Sequence, residues 1–275
     1  MVRTLLFFTL YFLLQVTIFA QNVNPELLKR SWPAQWITCP DVPLREYGVF
    51  QFRKDIVLSE VPNPFIIHIS ADNRYKFYVN GREISKGPVR SDSRNWNFET
   101  IDIAPFLSKG ENVLSALVWN QGEYKGVAQH SEMTGLIVQS DILVTNGQVI
   151  PNTQVNTDKS WKVKIATAYS PTSTNSMSKL QAYTVVGCGD LFDANKHDWA
   201  WMEKNINEST WRQAKTLERG MPIGSGSGAH WHLIPRTIPA MDEQVQRFKS
   251  VRRSSCNVAV SFIKGEKLTI PKNTL

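Results

Sequence analysis

The sequence predicts an all-β chain folded as an antiparallel β-sandwich, and three observations carry that prediction. Short apolar runs alternate with polar residues at period two, the mark of strands with one buried face. An Asn80-Gly81 pair joins two such runs, and both residues tolerate the positive φ of a two-residue hairpin turn. No strand–helix alternation of the kind that builds a parallel sheet occurs. The composition agrees. Of the 275 residues, 42% are hydrophobic and 11% aromatic, with 9 Trp and 13 Phe, which suffices for a proper core and is unlike a disordered chain. The length suits one or two domains.

Taken in order, residues 1–20 read as a secretory signal. Arg3 is its positive end, Leu5 to Phe19 an apolar run broken only by Thr and Gln, and Ala20 the small residue before cleavage. That run is shorter than the ~20 residues of a spanning helix, and no Cys follows to carry a lipid. The expectation is therefore an exported chain, periplasmic or secreted, with no stable membrane anchor. Residues 21–31 form a polar leader, and order begins at Trp32-Pro-Ala-Gln-Trp-Ile37.

Val49 to Val57 alternates, with Phe50, Phe52 and Ile56 on one face and Gln51, Arg53 and Asp55 on the other. Pro62-Asn-Pro64 interrupts, Phe65 to Ile69 is the next strand, and Tyr75, Phe77 and Val79 share a face of the strand that enters the hairpin. A polar loop spans Gly87 to Asn97. Phe98 to Ile103 and Val113 to Trp119 read as strands around a turn at 104–112, and Gly135 to Gln139 and Ile142 to Val144 follow. Short strands at this spacing suit a sandwich.

Residues 157–217 are less regular. Asp158-Lys-Ser-Trp161 is one landmark, and Thr210 to Ala214 is read as one or two helical turns with Asn207 or Ser209 as cap. Gly220 to Gly228 is a Gly/Ser-rich loop or boundary, and Trp231 to Pro239 is extended. Val258 to Ile263 and Lys267 to Ile270 look like the first strands of a second, incomplete β-domain. The expected organisation is thus a signal over 1–20, a leader over 21–31, a sandwich over 32–235, and a linker with the start of another domain over 236–275.

The formal net charge is +7, but Lys and Arg are scattered, with one local cluster at Arg247, Lys249, Arg252 and Arg253. A nucleic-acid reader concentrates charge on one element, so no nucleic-acid partner is expected. Cys39, Cys188 and Cys256 are odd in number and fit no metal spacing, so they read as buried or half-buried free thiols. His230 and His232 alternate without a third ligand, so neither a metal nor a cofactor is expected.

A series of segments resembles the N-terminal region of bacterial α-L-rhamnosidases, which are exported glycoside hydrolases. They are Trp32 to Ile37, Tyr47-Gly-Val-Phe-Gln-Phe-Arg53, Ser70-Ala-Asp-Asn-Arg-Tyr-Lys76, Tyr78-Val-Asn-Gly81 and Gly87-Pro-Val-Arg90. Thr100 to Pro105, Gly110-Glu-Asn112, Val118-Trp-Asn120, Asn156 to Trp161 and Trp231 to Arg236 continue the series. The likeness runs from about Trp32 to about Asp242, and the order of the segments is more telling than any one of them. It implies a jelly-roll-like, galactose-binding-like sandwich that accompanies a helical (α/α)-barrel, where a carboxylate pair acts by inversion. No catalytic residue is carried over, and the chain alone is expected to be inactive on rhamnosides. The partners implied are a rhamnose-containing oligo- or polysaccharide and the barrel of the same protein. The alternatives are a stand-alone secreted carbohydrate-binding module and a scaffold domain with no ligand.

A sugar site pairs a planar aromatic face with a few groups that read hydroxyls. Asp72, Asn73 and Arg74 end one strand, Arg90, Asp92 and Trp96 lie in the loop after the hairpin, and Trp119 ends another strand beside Asn120 and Tyr124. Strand ends of a sandwich converge at one edge, which makes these seven residues the candidate carbohydrate site. The competing reading has Asp72-Asn73 capping a turn, Arg74 paired with an acid, and Trp96 and Trp119 in the core.

Overall fold

The computed structural model describes residues 23–145, 148–151, 153–172, 187–226, 228–253 and 263–265. The signal read over 1–20 and most of the strands read at 258–263 and 267–270 lie outside them, as does Cys256. The chain divides into two units, Met1–Thr237 and Ile238–Leu275. The described residues 238–253 of the second unit form no strand.

The first unit is a β-sandwich. One sheet has seven strands in the order β15 (Lys215–Arg219), β1 (Gln35–Thr38), β8 (Gly135–Ser140), β3 (Ile66–Asp72), β6 (Trp96–Asp102), β17 (His232–Pro235), β16 (Met221–Pro222). The other has six, in the order β14 (Arg212–Gln213), β11 (Lys162–Ile165), β2 (Gly48–Leu58), β7 (Gly110–Asn120), β4 (Arg74–Val79), β5 (Arg82–Gly87). Two short antiparallel pairs stand apart: β9 (Ile142–Thr145) with β10 (Gln148–Pro151), and β12 (Tyr169–Pro171) with β13 (Asp190–Phe192). The pairing is antiparallel except at one edge, where β16, β17 and β6 run parallel.

Period-two burial explains the layers. Phe50, Phe52 and Ile56 of β2, Tyr75, Phe77 and Val79 of β4, and Leu114, Ala116 and Val118 of β7 point inward. They meet Ile67, Ile69 and Ala71 of β3 and Leu136 and Val138 of β8 from the other sheet. β2 and β7 pair over their whole length, from Gly48↔Asn120 to Leu58↔Gly110. The β4–β5 hairpin turns where expected, with Asn80 at φ 50° and Gly81 at φ 78°, both in the left-handed region.

Both outer faces are covered in part. On the seven-stranded sheet, Trp32, Trp36, Trp96, Phe98 and Trp231 form a second cluster. Leu27 joins it from a 3-10 turn at Pro25–Leu28, and Trp32 Nε1 donates to the Leu27 carbonyl at 2.9 Å. Part of the expected leader is therefore packed structure. Gly220 lies flat on this face: a Cβ there would sit 2.7 Å from Ile137 Cδ1 and 2.9 Å from Trp32, so only glycine fits.

On the six-stranded sheet two of the three polar alternates of β2, Gln51 and Arg53, are covered, while Asp55 stays exposed. Gln51 is 1% and Arg53 2% exposed, beneath a strap that carries Trp201 and Trp211. Arg53 anchors that strap: Nη1 donates to the carbonyls of Trp201 (3.2 Å) and Glu203 (2.6 Å), and the guanidinium pairs with Asp55 at 2.8 Å and Glu208 at 3.7 Å.

The helical turn expected over Thr210 to Ala214 is absent, and Arg212 and Gln213 form a strand instead. Arg212 and Gln213 pair with Val163 and Lys162, and Trp211 and Ala214 go to different clusters on opposite faces. A three-residue spacing puts two side chains on one face of a helix but on opposite faces of a strand. Asn207 does accept a hydrogen bond from the Ser209 N–H, at 3.0 Å, which makes a turn but no helix.

Candidate functional site

The candidate residues gather where β3 passes into β4, at one end of the sandwich. Register places them. Antiparallel pairing sets Arg74 of β4 opposite Trp119 of β7, and because Tyr75 points into the core, Arg74 and Trp119 share the outer face. Arg74 is exposed, while Trp119 is half-buried.

Asp72 and Asn73 lie beneath this surface and are fully engaged. The Asp72 carboxylate accepts from the backbone N–H of Glu132 (2.6 Å) and Met133 (3.2 Å) and from Trp231 Nε1 (3.0 Å), and Asn73 Nδ2 donates to its other oxygen. Burial raises the Asp72 pKa, and these donors oppose the rise. Asn73 Oδ1 accepts the Gln121 N–H at 2.7 Å, and its own N–H donates to the Trp119 carbonyl. The pair thus ties together the chain at 72–73, 119–121, 131–133 and 231. Trp96 is 2% exposed and meets Trp231 edge-on in the outer cluster.

Arg74, Arg90, Asp92 and Trp119 reach the surface. Arg74 Nη2 donates to Gln129 Oε1 at 3.4 Å. Partial burial, then the nearby charge of Arg90, lowers the Arg74 pKa. Asp92 shapes its own loop by accepting from the N–H groups of Arg94 (2.8 Å) and Asn95 (3.0 Å). The Asn95 side chain lowers its pKa most, and His130 contributes a favourable charge. Among the described residues Arg74 pairs with Gln129 and with no acid.

Sequence reasoning missed the other half of this edge. Trp119 Nε1 donates to Asp190 Oδ2 at 3.1 Å, and the Tyr47 hydroxyl donates to Asp190 Oδ1 at 2.7 Å. Burial, then this hydrogen bond, pushes the Tyr47 pKa far up, so the hydroxyl stays a donor. Tyr124 meets Tyr47 edge-on. From Trp119 the rings continue through Tyr169 and Phe192 to Trp199, with centroids 5.0–6.1 Å apart. Trp199 is 68% and Leu191 63% exposed. The edge therefore offers aromatic faces, a carboxylate held by two donors, and the Arg74–Gln129 pair, which is the chemistry that grips a sugar ring.

Other groups are accounted for within the fold. Glu99 is buried, accepts from the Tyr75 hydroxyl and the Val89 N–H at 2.9 Å each, and lies 3.7 Å from Arg236. Burial raises its pKa to about 7. His230 donates its N–H to Glu218 at 2.8 Å and sets Nδ1 2.9 Å from the same carboxylate. Among the described residues, no three His, Cys, Asp or Glu side chains are placed to hold a metal, and no helix is long and apolar enough to cross a membrane. Cys39 and Cys188 are buried free thiols.

The model of the α-L-rhamnosidase N-terminal domain family matches residues 62–224, more than half of the chain. No curated protein matches in sequence. Among solved structures, the chain is similar to the GH78 family rhamnosidase of Bacillus sp. GL1, with 25% identity and a TM-score of 0.61 over 76% of this chain and 20% of that one. The α-L-rhamnosidase from Dictyoglumus thermophilum shares the fold at 18% identity and a TM-score of 0.52, over 74% of this chain and 22% of that one. The one from Aspergillus terreus does so at 16% and 0.50, over 68% and 21%. The chain spans about a fifth of the length of these enzymes.

Proposed function

Because the chain belongs to the α-L-rhamnosidase N-terminal domain family, we propose that it is a carbohydrate-binding accessory module of an exported α-L-rhamnosidase-type glycoside hydrolase. Its ligand is a rhamnose-containing glycan, and its intramolecular partner is the catalytic barrel. The observation that carries this reading is the edge where Arg74 and Gln129 stand beside Trp119, with Asp190 bridging Trp119 and Tyr47. A pyranose presents C–H groups on one face and hydroxyls around its rim. Aromatic rings suit the first, and a planar cation, an amide and a carboxylate suit the second. Export rests on residues 1–20, whose pattern fits a cleaved signal.

Calorimetry with L-rhamnose and rhamnogalacturonan tests the reading. Binding is expected, with at least a tenfold loss in Arg74→Ala and Trp119→Ala, or about 1.4 kcal/mol each. Both variants should keep the parent circular dichroism. Binding left intact in both would refute the site, and no binding to any rhamnose-containing glycan would refute the function. A second reading is favoured by the exposed Leu191, Phe192 and Trp199, which form an apolar patch suited to pack against the barrel. It expects Trp199→Ala to leave glycan affinity unchanged.

A further inference from the structure

We propose that the cavity between β11 and residues 196–198, on the outer face of the six-stranded sheet, binds one neutral sugar residue at a site separate from the Arg74–Trp119 edge. The inference takes its ligand class from the carbohydrate reading above, and its location from the cavity alone.

Register builds the floor. Gln51 of β2 pairs with Lys164 of β11 and with Leu117 of β7, so these side chains form one row on the outer face. The strap closes over one side of this row, leaving a space of about 360 Å³ lined by Gln51, Ile165, Ala168, His197 and Thr210, among others. That volume falls in the range of small-molecule sites and suits one pyranose.

Two polar groups there lack protein partners. Gln51 is 1% exposed, yet its amide has no side-chain hydrogen bond among the described residues. His197 Nδ1 is buried and has no partner. Buried amides are almost always satisfied; the Gln51 side chain lines the cavity, whereas His197 Nδ1 is closed off from it. An amide offers both donors and an acceptor, as a ring hydroxyl pair requires. Burial lowers the His197 pKa, so a neutral ring lines the cavity.

Charge chooses the class of sugar. The three cations of the lining each have a carboxylate: Lys164 pairs with Asp198, Lys196 with Asp193 at 3.5 Å, and Arg212 with Asp41 at 3.4 Å. A balanced rim gives an anionic uronate no advantage over a neutral ring. Ala166 and Ala168 supply apolar surface for the C–H face of the sugar.

The test is nuclear magnetic resonance of the full chain, following the Gln51 side-chain amide, the His197 ring and the Trp119 indole during titration with L-rhamnose, D-galactose and D-galacturonate. Saturable shifts at Gln51 and His197 with a neutral sugar are expected. They should weaken about tenfold in Gln51→Leu, the loss typical of a removed hydrogen bond, and persist in Trp119→Ala. Shifts confined to Trp119 would overturn the second site and leave the proposed function standing. Silence at all three would overturn both. Stronger shifts with galacturonate than with either neutral sugar would overturn the ligand class. The titration of the parent chain decides the matter even if Gln51→Leu does not fold.

Discussion

Replacing Asp72 by Ala should unfold this domain far more readily than it alters any surface. The carboxylate accepts from four donors, three of which share one oxygen: the N–H groups of Glu132 and Met133 and the indole of Trp231. Each donor left without an acceptor costs about 1–3 kcal/mol, so the three together cost about 3–9 kcal/mol if no water enters. Removing a buried carboxylate returns part of this, because burial disfavours its charge, as its raised pKa records. A net loss of about 2–6 kcal/mol remains, a large share of the ~5–15 kcal/mol that holds a domain together. Urea unfolding followed by tryptophan fluorescence measures it, with Arg74→Ala as the comparison. Arg74 is exposed and makes one long hydrogen bond, so its removal should stay within about 0.5 kcal/mol. A loss below about 1 kcal/mol for Asp72→Ala, at an unchanged urea slope, would refute the view that Asp72 is a structural tie.

Three further outcomes are expected. Glu99 keeps its proton to about pH 7 in the fold, against 4.5 as its ordinary value; the native state therefore binds more protons than the unfolded state between those limits, and stability falls as pH rises through the window, at up to about 1.4 kcal/mol per pH unit. Urea midpoints at pH 5, 6, 7 and 8 should show this decline, and Glu99→Gln should flatten it. Burial pushes the Cys39 thiol up to about 11, so peptide mapping after iodoacetamide treatment at pH 8 should find Cys39 almost unlabelled in the native chain and fully labelled in urea. Gly220→Ala forces a methyl against Ile137 and Trp32 and should lower stability by about 1–3 kcal/mol in the same urea assay.

The strands were legible because one side of each faces a shared core, and alternation such as that of Phe50, Phe52 and Ile56 records it directly. The Asn80-Gly81 turn was legible because its backbone demands those residues. Thr210 to Ala214 was not, since Trp211 and Ala214 fit one face of a helix as well as two faces of a strand. Nor was the parallel edge, because β17 reaches β6 from more than 130 positions away in the chain. At the candidate edge, Asp72, Asn73, Arg74 and Trp119 lie together at one end of the sandwich, where strand ends were expected to converge. The sequence did not distinguish Asp72, turned under the loops, from Arg74 two positions on, turned outward. Asp190 was invisible because its partners, Tyr47 and Trp119, lie 143 and 71 positions before it.

The Arg53 anchor has a consequence for how such a module can change over generations. The strap is fastened to the sheet largely through main-chain carbonyls, those of Trp201 and Glu203, which every amino acid supplies. The residues at 190–199 that furnish the rings and one wall of the cavity can therefore be rewritten while the fastening survives. Swapping that stretch between relatives would change the rings without rebuilding the scaffold, whereas losing the arginine would cut two main-chain ties and leave the packing of Trp201 and Trp211 and the Lys164–Asp198 pair to hold the covering.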